Sequence, residues 1–169
     1  MADELPDWLE RITKLEDFEG DPEKYIEHLH SLFERDFVTA PAQFRGEKVL
    51  FDGGDDNGKP RAFVHITTEE DRATQQRNLC LRRCERIAWI KAIIEHCDDP
   101  AVLVWEKEHF GHQRISNRIY LFLECDNFLV ILEQLRKGHF MVTAIYVDNP
   151  HQKRKHLKDY ENFKKGLVI

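Results

Sequence analysis

The chain has 169 residues, with 31 acidic side chains against 25 Lys and Arg and a net charge of −6. That length holds one sizeable core and is short for two. No apolar run approaches the roughly 20 residues a bilayer demands, and MADELPDWLE lacks the basic and apolar stretches of a secretion signal, so a cytoplasmic location and no membrane partner are expected.

The charge is uneven. Residues 1–60 carry 16 acids and 7 basic side chains, net −9, whereas residues 136–165 carry 8 basic and 3 acidic, net +5. An acidic front and a basic tail suit a domain facing nucleic acid, and equally a solvated helix face; the overall acidity argues against indiscriminate, tight nucleic-acid binding.

Leu5, Trp8, Leu9, Ile12 and Leu15 recur with helical period and predict an amphipathic helix that closes near Gly20. Asp21 and Pro22 form a cap and first-turn pair, and Tyr25, Ile26, Leu29, Leu32 and Phe33 mark a second helix. Residues 1–40 are therefore expected to form an acidic helical hairpin ahead of a domain spanning 41–169. Pro41 breaks the pattern, after which QFRGEKVLF and RAFVHIT predict strands flanking DGGDDNGKP. That loop reads as a solvated turn; its acids do not have the spacing of a calcium loop.

Cys80, Cys84, Ile87, Ile90, Ile94 and Cys97 fall on one stripe of a long predicted helix, with Arg82, Arg86 and Trp89 off the stripe. These cysteines and Cys125 read as reduced, largely buried thiols; a lone CxxxC is a poor zinc signal. AVLVWE, NRIYLFLE, NFLVILEQL and HFMVTAIYV predict four strands whose short connections, notably CDN and RKG, suit antiparallel neighbours. Asn149 and Pro150 then open a basic C-terminal helix carrying Leu157, Tyr160 and Phe163. The expected fold class is α+β: N-terminal helices packed on an antiparallel sheet of about four strands, with a C-terminal helix.

The ordered set FVHITTEEDR, NLCLRRCERIAWIKAIIEH, VLVWE, RIYLFLE, NFLVIL, FMVTAIYV and HQKRKHLKDYE resembles the phage-type branch of the Barnase, EndoU, colicin and RelE-like nuclease superfamily over about Phe44 to Tyr160. The resemblance implies a metal-independent endoribonuclease, often a toxin, that cleaves RNA by transesterification to a 2′,3′-cyclic phosphate and is paired with an antitoxin or immunity protein. It places His65, Arg83, Arg86, Arg118 and Thr143 at catalytic positions, and Lys155 and Tyr160 at substrate-binding ones. His156 is the runner-up for a second proton role. Residues 5–37 match nothing in the pattern.

The residue types fit that chemistry. Metal-free cleavage of RNA needs a base for the 2′-hydroxyl proton, an acid for the leaving 5′-oxygen, and cations around the phosphorane. Histidine, with a reference pKa of about 6.5, suits either proton role. In a strand, Phe63, His65 and Thr67 would share one face, which is also the setting of an ordinary edge-strand histidine. Arg83 and Arg86 lie three apart on one helix face, where they could fork onto phosphate or pair with Glu85 and Glu95. Arg118, heading a strand, has the same two options. The Thr143 hydroxyl is either a phosphate donor or bonded to backbone, and Lys155, His156 and Tyr160 belong to a substrate site or to a solvated basic helix.

Glu106, His109 and His112 would share a helix face and could ligate zinc there, but Gly111 favours a hairpin loop, so no metal or cofactor is assigned. The rival reading is a non-catalytic module on the same fold that binds protein or nucleic acid. The two are separated by convergence, since an enzyme must bring His65, Thr143 and an arginine to one cleft.

Overall fold

The computed structural model describes residues 4–166. It is an α+β protein in which a six-stranded sheet is the organising layer. Helix α1 (Pro22–Glu34) starts where the sequence predicts, because the Asp21 carboxylate accepts from the Glu23 and Lys24 amides with Pro22 in the first turn. Its Tyr25, Leu29 and Phe33 enter the main core together with residues of the sheet.

The predicted first helix is absent. Among the described residues before Gly20, only Leu15–Phe18 forms a short 3-10 turn. Trp8, Leu9, Ile12 and Leu15 still pack on the core. The segment is held by tertiary bonds: Trp8 Nε1 donates to Asp99 at 2.9 Å, Thr13 N to the Glu85 carbonyl at 3.0 Å, and Trp89 Nε1 to the Glu10 carbonyl at 2.7 Å. The last two satisfy backbone groups of the segment, the Thr13 amide and the Glu10 carbonyl, that a helix would otherwise have paired internally.

After a π turn at Arg35–Thr39, the expected single strand QFRGEKVLF is a hairpin of β1 (Gln43–Phe44) and β2 (Glu47–Leu50). The Gly- and Asp-rich loop closes as a second, two-residue hairpin between β3 (Asp55–Asp56) and β4 (Lys59–Pro60), with Asn57 and Gly58 at positive φ.

The main correction concerns RAFVHIT. It is helix α2 (Arg61–Thr67), so the face shared by Phe63, His65 and Thr67 does not exist. Val64, Ile66 and Thr67 suggested a strand, but Ala62, Phe63, Ile66 and Thr67 are the buried positions, at helical spacing, and tertiary burial overrides β-propensity. A small hairpin follows, β5 (Thr68–Glu70) with β6 (Arg77–Leu79).

The predicted long helix is broken into α3 (Leu81–Glu85) and α4 (Trp89–Glu95). The break turns Arg86 and Trp89, expected outside the apolar stripe, into the interior at 7% and 2% exposure. Cys84 and Cys97 are buried, as the sequence suggests.

The four predicted strands are β7 (Val102–Phe110), β8 (Ile115–Leu123), β9 (Phe128–Gln134) and β10 (His139–Tyr146), in consecutive antiparallel pairs. The sheet exceeds them by two, in the order β1-β2-β10-β9-β8-β7, and β2 runs parallel to β10. Central β9 is buried on both sides. Its Phe128, Val130 and Leu132 join the helix-covered core, and Leu129 and Ile131 join a second cluster with Trp105 and Phe122. Leu157, Tyr160 and Phe163 of helix α5 (Pro150–Gly166) close that second cluster, and Asn149 caps α5 through the His151 amide at 2.8 Å.

Candidate active site

Strand β2 pairs with β10 only over His139 and Phe140. Beyond that point α2 and α3 lie against β10 instead of another strand. The register of β10 on β9 steps from Met141 opposite Leu132 to Thr143 opposite Ile131, a bulge that turns the strand where α2 crosses it. There His65 Nε2 lies 3.1 Å from Thr143 Oγ1. The hydroxyl both donates and accepts, so the contact holds either imidazole tautomer.

Two guanidiniums gather at the C-terminal end of α2. Arg77 donates from Nε to Thr68 Oγ1 at 2.8 Å and from a terminal nitrogen to the Thr68 carbonyl at 2.9 Å and the His65 carbonyl at 3.4 Å. Arg83 donates to the same two carbonyls at 2.9 and 3.3 Å and pairs with Glu69 at 3.6 Å. Its Nε is buried with no hydrogen-bond partner. Cations belong at a helix C-terminus, where orphan carbonyls point outward. Partial burial of the ring, then the charges of Arg77 and Arg83, hold the His65 pKa below its ordinary value of 6.5. At neutral pH the ring is therefore an uncharged base, and the residue is exposed.

A cavity of about 200 Å³ opens beside the imidazole, between Asp52, Arg61 and His65 on one side and Phe140, Met141 and Val142 of β10 on the other. The Gly54 amide and then Arg61, at 3.1 Å, keep the Asp52 carboxyl below the usual carboxylate range. Sequence reading missed Asp52 and Arg61. Read as a helix, the segment would have shown Arg61 four residues before His65 and so on the same face.

The remaining expected site residues lie elsewhere. Arg86 forms a short, nearly buried ion pair with Asp126, also meets Glu85 at 3.3 Å, and spreads its guanidinium over the rings of Tyr146 and Trp89 at 4.9 and 5.4 Å. Arg118 sits on β8 beside a separate cavity at the end of the β7–β8 hairpin. Lys155 is exposed on α5, Tyr160 sets its edge against Trp105 at 6.1 Å, and the His156 ring lies among Trp105, Tyr120 and Phe122 at 6.1, 6.2 and 6.4 Å. Burial holds the His156 pKa below its ordinary value, against the opposing effect of Asp159. Helix α5 packs chiefly on β7, a strand that lies three spacings, about 14 Å, across the sheet from β10.

Glu106 and His109 are on strand β7, where a separation of three residues puts side chains on opposite faces. Among the described residues no group of three or more His, Cys, Asp or Glu is arranged to hold a metal, and no helix is long and apolar enough to cross a membrane. Comparison with protein-family models, with curated proteins and with solved structures finds no match to this chain.

Proposed function

We propose that this chain is a metal-independent endoribonuclease of the Barnase, EndoU, colicin and RelE-like kind, cleaving RNA by transesterification to a 2′,3′-cyclic phosphate. The observation that carries the reading is the contact of His65 with Thr143 at 3.1 Å, on a residue that lines a cavity and whose backbone carbonyl accepts from Arg77 and Arg83.

The neutral His65 imidazole takes the 2′-hydroxyl proton, the 2′-oxygen forms a bond to phosphorus, and the bond from phosphorus to the 5′-oxygen breaks. The leaving oxygen takes its proton from water. In this scheme Arg77 and Arg83, whose charges reach the ring, offset the charge of the phosphorane, and Thr143 fixes the ring orientation. Arg86 serves the fold in this scheme, and α5 takes no part in bond breaking.

Incubation of the purified protein with total RNA in EDTA tests the reading. The expected products carry 2′,3′-cyclic phosphate ends, and His65→Ala slows their formation by about 10² to 10⁴-fold. Intact RNA, or undiminished cleavage by His65→Ala, overturns it.

One observation favours a non-catalytic binding module: Arg77 and Arg83 each spend donors on backbone carbonyls, which leaves fewer for phosphate. On that reading RNA is retained uncut, and His65→Ala leaves its affinity unchanged.

A further inference from the structure

At the far end of the β7–β8 hairpin a cavity of about 300 Å³ is lined by His109, His112, Arg114, Ser116, Arg118 and Glu133. Glu133 is already committed, since Arg114 bonds it closely. Arg118 lies directly across from Glu133 on the neighbouring strand, yet its Nε is buried and has no acceptor. A buried donor without an acceptor has lost its water and gained nothing in return, so this guanidinium is set to gain from an anionic oxygen.

The position of this cavity on the sheet gives it meaning. Phe140, which lines the cavity beside His65, is paired with Glu133, and Glu133 with Arg118. Directly paired residues project from the same side of a sheet, so the three form one cross-strand row. Two strand spacings, about 10 Å, separate its ends. That places Arg118 further along the path of a strand whose scissile phosphate rests at His65.

We infer that the Arg118 cavity is a second phosphate subsite, which holds a backbone phosphate of a single-stranded RNA remote from the one being cleaved. The inference rests on the ribonuclease reading for the identity of the strand, but its geometry is independent of catalysis. Arg118 supplies the fork, with His112 and Ser116 as further donors. The site sets affinity for longer strands and leaves the chemical step alone.

The test uses the full chain and a fluorescently labelled single-stranded oligodeoxynucleotide long enough to span both cavities; lacking 2′-hydroxyls, it stays uncut. Arg118→Gln is expected to weaken its binding about tenfold and to lower the slope of log affinity against log salt by about 0.7, the share of one single-strand phosphate. His112→Glu, an exposed substitution that spares the fold, weakens binding in the same assay. A labelled dinucleotide binds both variants as it binds the parent. Unchanged affinity and salt slope for the long strand, or an equal loss for the dinucleotide, overturns the subsite. A protein that fails to cut the ribose version of the strand while Arg118→Gln still loses binding removes the ribonuclease reading and leaves the subsite standing. Where cleavage occurs, Arg118→Gln raises KM for the long strand with kcat unchanged.

Discussion

His65 and Thr143 stand 78 residues apart in the chain, and their side chains meet at 3.1 Å where helix α2 crosses the bulge of β10. Neither residue is set by its own segment alone. The ring is aimed by a helix whose C-terminal carbonyls are held by Arg77 and Arg83, and the hydroxyl by a one-residue register step.

Thr143→Val keeps the side-chain shape and removes the hydroxyl. A neutral hydrogen bond is worth about 1 kcal/mol, so kcat for RNA cleavage should fall about fivefold, with the thermal midpoint little changed. Thr143→Ser should restore the rate. Steady-state kinetics on a short oligoribonucleotide checks both.

The pH dependence follows from the same site. A base must be uncharged, and burial, Arg77 and Arg83 all shift the His65 pKa downward from 6.5, so kcat/KM should rise with pH through a midpoint below 6.5 and then level off. Arg77→Gln removes one of those cations and should move the midpoint upward. A pH–rate profile of the two proteins reads the difference, and a midpoint that moves down contradicts the assignment. Linkage has the same sign: a folded pKa below the unfolded one means that the unfolded chain binds more protons, so this contribution weakens stability as pH falls below 6.5.

Arg86→Ala separates structure from chemistry. It leaves Asp126, with a side chain only 22% exposed, without its partner, and it removes the cation from the Tyr146 and Trp89 rings. A loss of about 3 kcal/mol in denaturant unfolding is expected, with kcat of the folded protein retained. A large fall in kcat at full stability would move Arg86 into the catalytic group.

Gly138 closes the turn from β9 into β10 at φ +79°, and a Cβ there would meet the Lys48 carbonyl oxygen at 2.7 Å. Its amide also donates to Glu47 at 2.9 Å. Gly138→Ala should cost about 2 kcal/mol through positive-φ strain and the collision with β2, read as a lowered denaturant midpoint. An unchanged midpoint would show that β2 yields without cost.

Much of the frame was legible in residue order. Alternation and continuous apolar runs located β7 to β10, and Asp21 with Pro22, and Asn149 with Pro150, marked the starts of α1 and α5. His65 and Thr143 could be singled out as chemical groups, but not their meeting. The segment holding His65 was expected as a strand, because its β-branched residues outweighed a helical burial pattern that exists only once α2 has β10 to pack on.

Pattern, capping residues and composition by themselves determined an α+β chain with a four-strand antiparallel meander and a basic last helix, because those signals act over a few neighbouring residues. Tertiary structure alone decided which cations reach His65. Arg77 and Arg83 arrive because α2 ends in carbonyls that need donors. Arg86 is withdrawn by Asp126, and Lys155 and Tyr160 ride on a helix packed over β7, at the far edge of the sheet. Those outcomes depend on strand order and on distant partners, quantities that sequence spacing does not encode.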